Sequence, residues 1–164
     1  MKKALLSLLL TCLALLSLTA CFPPGRGAKT LQDRTPDRVL SIELWIDHEQ
    51  YDFGEPVNVR AKLTNISGQV VNLTSTSGND PVMDIIIRTT AVYEPEERLI
   101  WSHDHPDDIV YTLELAPGES YELEWSQVPS QRRGYAVEVP WVDHTGYRSV
   151  SSLAISYGES LPNP

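Results

Sequence analysis

The chain has 164 residues, with 13 Lys+Arg against 22 Asp+Glu and a formal charge of −9. That length is one domain, and 41% apolar with 21% charged residues describes a folded body rather than a disordered one. The acidic balance supplies no positive field for phosphates, which argues against nucleic acid as a partner.

The chain opens Met1-Lys2-Lys3 and then runs apolar over residues 4–20, broken only by Ser7, Thr11, Cys12, Ser17 and Thr19. A basic start, an apolar core and small residues at the end describe a secretory signal over residues 1–20. The stretch is slightly short for a spanning helix, and its C-terminal flank is wrong for one. It closes on Leu18-Thr19-Ala20-Cys21, which resembles the lipobox of bacterial lipoproteins. The resemblance implies that the Cys21 thiol receives a diacylglycerol and that cleavage leaves Cys21 as the new N-terminus. Acyl chains then hold the protein at the membrane, each buried CH₂ contributing about 0.8 kcal/mol. Cys12 leaves with the signal and Cys21 is acylated, so no disulfide is available and apolar burial must stabilise the domain.

Residues 21–37 are rich in Pro, Gly and charge with no periodicity, and read as a flexible tether. From residue 38 the period is two. Leu40, Ile42, Leu44 and Ile46 alternate with Ser41, Glu43 and Trp45; Val57, Val59, Ala61 and Leu63 alternate with polar residues more cleanly still. Further strands are expected over 70–76, 82–90, 99–102, 109–115, 121–125, 135–139 and 153–157. The Ile85-Ile86-Ile87 run suggests burial on both faces of its strand. Turn signals recur about every ten residues, and no window carries a helical stripe. The expected fold is an all-β, immunoglobulin-like antiparallel β-sandwich of eight or nine strands over residues 38–158, with a disordered tail at 159–164. Of the four tryptophans, Trp45 and Trp141 are the surface candidates, because Trp45 falls on a polar row and Trp141 follows a proline.

Three stretches carry a family resemblance: Tyr51-Asp52-Phe53-Gly54-Glu55-Pro56-Val57 leading to Leu63-Thr64-Asn65-Ile66-Ser67-Gly68, then Leu99-Ile100-Trp101-Ser102, then Leu115-Ala116-Pro117-Gly118-Glu119-Ser120 with Trp125 beyond. In this order they resemble the bacterial family of intracellular proteinase inhibitors first known from Bacillus. The resemblance implies an immunoglobulin-like sandwich and, by family name only, proteinase inhibition. The motifs themselves are turn and strand-entry chemistry. The family's namesake is cytoplasmic, whereas this chain carries an export signal.

Two constellations merit weighing. His103-Asp104-His105-Pro106-Asp107-Asp108 is the densest polar cluster, but histidines at i and i+2 point to opposite faces of an extended chain, so a solvated hairpin loop is expected there and no metal site. Arg132 and Arg133 form a candidate protease-contact loop, since an exposed basic residue suits a trypsin-like pocket. Neither a nucleophile elbow nor His-Glu-x-x-His is present, so no enzyme activity and no cofactor are expected. The sequons at Asn65 and Asn72 would stay bare in a bacterial lipoprotein. The sequence thus points to a lipid-anchored, extracytoplasmic protein-binding domain at the cell membrane, or at the outer membrane where one exists. Its expected partners are the membrane, through Cys21, and a protease or envelope protein. Structural or adhesive roles, or ligand or cation binding by the 103–108 loop, are the alternatives.

Overall fold

A computed structural model describes residues 27–76, 80–91 and 96–158; the signal, Cys21 and the tail at 159–164 lie outside them. Among the described residues there are eleven strands: β1 Lys29–Arg34, β2 Leu40–Ile46, β3 Gln50–Tyr51, β4 Val57–Asn65, β5 Val71–Thr74, β6 Ile86–Thr89, β7 Arg98–Ile100, β8 Thr112–Leu115, β9 Ser120–Gln127, β10 Arg133–Val142 and β11 Arg148–Tyr157. The described residues also hold one helical turn, α1 Trp101–Asp104, and a 3₁₀ turn, Pro106–Asp108.

The period-two rows decide the packing. One sheet runs β1-β2-β4-β9 and the other β3-β11-β10-β6-β7, with β5-β8 as a separate ribbon. Leu40, Ile42, Leu44 and Ile46 of β2, with Val57, Val59, Ala61 and Leu63 of β4, turn inward onto Tyr135, Val137 and Val139 of β10 and Leu153, Ile155 and Tyr157 of β11. All these side chains are buried, and each Val, Leu and Ile among them is worth about 1.5–3 kcal/mol relative to exposure. The result is an all-β, immunoglobulin-like sandwich. Tyr135 near the start of β10 reaches back with its hydroxyl to the Gln131 carbonyl, 3.1 Å away, the corner device of that fold. Every pairing is antiparallel except β3, which lies parallel to the end of β11.

Several expectations need correction. The tether region contributes β1, paired along its whole length with β2. Its residues are exposed apart from the partly buried Leu31, so backbone pairing and cross-strand contacts such as Gln32 to Glu43 at 2.8 Å hold it, not burial. A charged strand at a sheet edge also discourages further pairing. Trp141 is 2% exposed. Residues 82–84 run alongside the end of β10, bridging Met83 to Trp141 and donating Asp84 N–H to the Pro140 carbonyl, so this stretch is covered on both sides. The strand expected over 99–102 becomes β7 followed by α1, and the 103–108 loop is helical. The Ile85-Ile86-Ile87 run is buried throughout, as its pattern suggests.

The strand directions give the sandwich two ends. Lys29 pairs opposite Ile46 where β2 finishes, and β4 begins, β9 finishes, β10 begins and β11 finishes at that same end. We call this end, with the loops at 47–56 and 128–132 and with residues 90–91 and 96–97, proximal. The turns at 35–39, 66–70, 116–119 and 143–147 form the distal end.

Candidate functional site

The distal end is built from short polar side chains that hold their own turns. Asn65, wholly buried, donates from Nδ2 to the carbonyls of Gln69 at 2.7 Å and Leu115 at 2.9 Å, and its Oδ1 accepts from the N–H and hydroxyl of Ser67. Thr35 accepts the N–H groups of Val39 and Leu40, both at 3.1 Å. In the β10–β11 hairpin Asp143 Oδ1 accepts from Thr145 N–H at 2.8 Å, its hydroxyl at 2.7 Å and Tyr147 N–H at 2.9 Å. Burial works against the Asp143 charge, but these bonds prevail and hold its pKa below the usual carboxylate value. Gly146 completes the turn at φ +83°, a left-handed conformation that other residues adopt only with strain.

These braced turns surround a groove of about 630 Å³ lined by Val39, Ser67, Gly68, Val70, Val71 and His144. His144 Nε2 lies 3.2 Å from Asp37 Oδ2 across its rim. Exposed apolar side chains crowd this end: Ile66 at 41%, Val70 at 53% and Tyr147 at 68%. None of these was singled out from the sequence. Apolar residues embedded in turn segments, as in Asn65-Ile66-Ser67-Gly68-Gln69-Val70, are the signal that would have found them.

The proximal end holds Arg132 and Arg133. Their loop is braced from the core: Ser130 donates N–H at 2.9 Å and hydroxyl at 2.6 Å to Glu97, and the Tyr135 hydroxyl donates to the same carboxylate. Burial raises the Glu97 pKa, yet the Ser130 and Tyr135 bonds outweigh it and the net position is lowered. Burial, then Glu97, pushes the Tyr135 hydroxyl well up, so it stays a donor. The arginines are engaged with the domain. Arg132 places its guanidinium 4.8 Å over the Phe53 ring, and Arg133 Nη1 donates to Thr89 at 3.3 Å.

Trp45 is half-buried on the outer face of the four-stranded sheet, with the Arg60 guanidinium 5.7 Å from its ring and Arg60 bonded to Glu124 at 2.6 Å. The 103–108 segment works in packing. Asp104 accepts the Trp125 indole N–H at 3.0 Å, His105 stacks on Trp101 at 5.1 Å, and Trp101 donates to the Glu124 carbonyl at 3.1 Å on the sheet edge. Asp84 is buried beneath, accepting Ser102 N–H and hydroxyl and Ile85 N–H. Burial raises its pKa despite those bonds. Among the described residues no three His, Cys, Asp or Glu side chains converge as a metal site, and no helix is long and apolar enough to cross a membrane.

No family model matches the chain, and no curated protein does. Solved structures do. A β-glucosidase from Listeria innocua in complex with glucose is 10% identical with a TM-score of 0.44, covering 82% of this chain and 17% of that one. The chain therefore spans about a sixth of the glucosidase. The CARDB domain of the PF1109 protein from Pyrococcus furiosus, in complex with di-metal ions, is 13% identical with a TM-score of 0.40, covering 80% and 94%. The sporulation control protein Spo0M of Bacillus subtilis is 13% identical with a TM-score of 0.41, covering 82% and 50%. At this level of likeness nothing of their chemistry transfers.

Proposed function

We propose that this chain is a lipid-anchored protein-binding domain of the cell envelope, held through Cys21 and extracytoplasmic. The lipobox-like Leu18-Thr19-Ala20-Cys21 supports the anchor. The binding half of the reading rests on one observation: the exposed Val70 lines the distal groove, and the exposed Ile66 and Tyr147 stand on the hydrogen-bonded turns that contribute Val70 and His144 to it. Large apolar side chains on a preorganised frame lose little freedom on binding, which is where affinity comes from. The distal end is also the one opposite the start of β1, so a tether at the other end leaves it open to partners.

The test places a photocrosslinking residue at Val70 or, as a control on the sheet face, at Ser152, in cells expressing the full chain. The expected result is one discrete adduct from position 70 that Ile66→Asp removes, with none from position 152, and an acylated Cys21 by mass spectrometry. Equal labelling at both positions, or an unprocessed chain in the cell interior, overturns the reading. Proteinase inhibition through Arg132 and Arg133 is a competing reading, because it needs the proximal end free of the membrane; the bracing of the 128–132 loop supports it. Replacing both Arg132 and Arg133 by Glu should then abolish inhibition of a trypsin-like protease; unchanged inhibition removes Arg132 and Arg133 as the contact.

A further inference from the structure

We infer that the proximal tip docks on the lipid headgroup layer, with Phe53 as its inserted side chain and Arg132 as its phosphate partner. This rests on acylation of Cys21, and it deepens that reading by giving the domain one orientation at the membrane.

Chain length limits how far the proximal tip can stand from the bilayer. Lys29 opens β1 at the proximal end, eight positions after Cys21. Eight residues of fully extended chain reach at most about 29 Å. β10 and β11, ten residues each, are about 33 Å long. A small folded domain is also about 30 Å across. Even this upper bound leaves under the proximal end a gap too shallow for a folded partner, while the distal end stands clear of the bilayer.

The tip itself has the shape and chemistry for that contact. Phe53 is 51% exposed on a turn that is pinned from below. Asp52 N–H donates to Glu55 at 2.8 Å, Glu55 N–H to the Asp52 carbonyl at 3.0 Å, and Gly54 N–H to the Tyr157 hydroxyl at 2.9 Å. Gly54 takes φ +89°, which this tight turn requires. The ring meets Tyr157 edge-on at 6.0 Å on one side and carries the Arg132 guanidinium at 4.8 Å. Gly158 allows that approach, because a Cβ there would come within 2.7 Å of Arg132 Cγ. Val128, 47% exposed, begins the neighbouring loop. A rigidly presented phenylalanine seats at the acyl boundary, and a stacked guanidinium reaches phosphate oxygens in the plane above it. Asp52 and Glu55 flank the ring, so the contact depends on apolar insertion rather than on anionic lipid.

The experiment uses the acylated full chain in liposomes of phosphatidylethanolamine and phosphatidylglycerol. After acylation no other thiol remains in the mature chain, so Val128→Cys and, separately, Val70→Cys can each carry an environment-sensitive dye. Quenching by headgroup-level nitroxide lipids is expected to be several-fold stronger at position 128 than at position 70. Phe53→Asp should bring position 128 down to the value at position 70, while Phe53→Leu, which keeps an apolar side chain and the fold, should retain the difference. Equal quenching at the two positions with Cys21 shown to be acylated overturns this inference and leaves the anchor standing. Protection of the dye at position 128 only when a second protein is added makes the tip a protein contact and overturns it too. An unmodified Cys21 overturns both readings.

Discussion

The two ends of the sandwich are held rigid by different devices. At the distal end the side chains of Asn65, Thr35 and Asp143 bond to backbone within five residues of themselves, and Asn65 also reaches the distant Leu115 carbonyl. At the proximal end the hydroxyls of buried tyrosines rise from the core to meet the loops. Tyr51 donates to Asp47 at 2.5 Å and accepts His48 N–H, Tyr135 bonds Glu97, and Tyr157 accepts Gly54 N–H from 103 positions away. Burial first, and then Asp47, pushes the Tyr51 hydroxyl far above its ordinary value, which keeps it a donor. The lesson is that a turn held by its own residues is stable wherever the strand ends, whereas a loop held by the core is only as rigid as the core beneath it.

The largest effect that separates the ends should come from Tyr157→Ala. Tyr157 is fully buried and packs against Tyr51, Phe53 and Tyr135, so the cavity and lost transfer energy should cost about 3–5 kcal/mol. Denaturant unfolding measures it, and hydrogen exchange should show the proximal loops freed well before the distal turns. Equal loosening of both ends would remove the distinction.

Asn65→Ala should cost about 1–3 kcal/mol, because the Leu115 carbonyl loses a donor in a buried site and Ser67 loses its acceptor. Here the damage should stay distal: the 66–70 turn exchanges faster and crosslinking from position 70 falls, while the 128–132 loop keeps its protection. Two-dimensional NMR of the variant checks both.

The smallest effect is pH dependence at the proximal brace. Glu97 has a lowered folded pKa, so the stability it contributes is complete above its unfolded value, about 4.3, and is lost as pH falls through the folded one. With its intrinsic rate divided out, the Ser130 amide should therefore exchange faster only in acid. Glu97→Gln should reproduce that acceleration at pH 7 at a global cost below about 1 kcal/mol, since the carboxylate faces water. Asp84 runs the other way. Burial raises its folded pKa, so its charge opposes folding at neutral pH, and protonation as pH falls through that raised value relieves the opposition. Asp84→Asn keeps an acceptor for the Ile85 and Ser102 N–H groups and should remove this component from a stability-versus-pH curve.

Much of the sandwich was legible because burial imposes period two on its inner rows, and β2, β4, β9 and β11 obey it. β1 was not, because an exposed edge strand needs no apolar row. Trp141 was misplaced because the cover over it comes from residues 82–84, far off in sequence. The candidate arginines were found as residue types in a loop. That Arg132 would lie on Phe53 depends on Gly158 and the end of β11, which local pattern does not reveal.

By itself the sequence determined the class of fold, through alternation that only a two-layered sheet core can satisfy, and it determined the distal turns, because Asn, Asp and Thr staple the backbone beside them. Tertiary structure decided which strands close the edges, which end of the body the tether enters, and whether Phe53, Arg132, Ile66 and Val70 meet solvent. Those outcomes depend on contacts between residues tens of positions apart, and such contacts exist only once the two sheets have closed on each other.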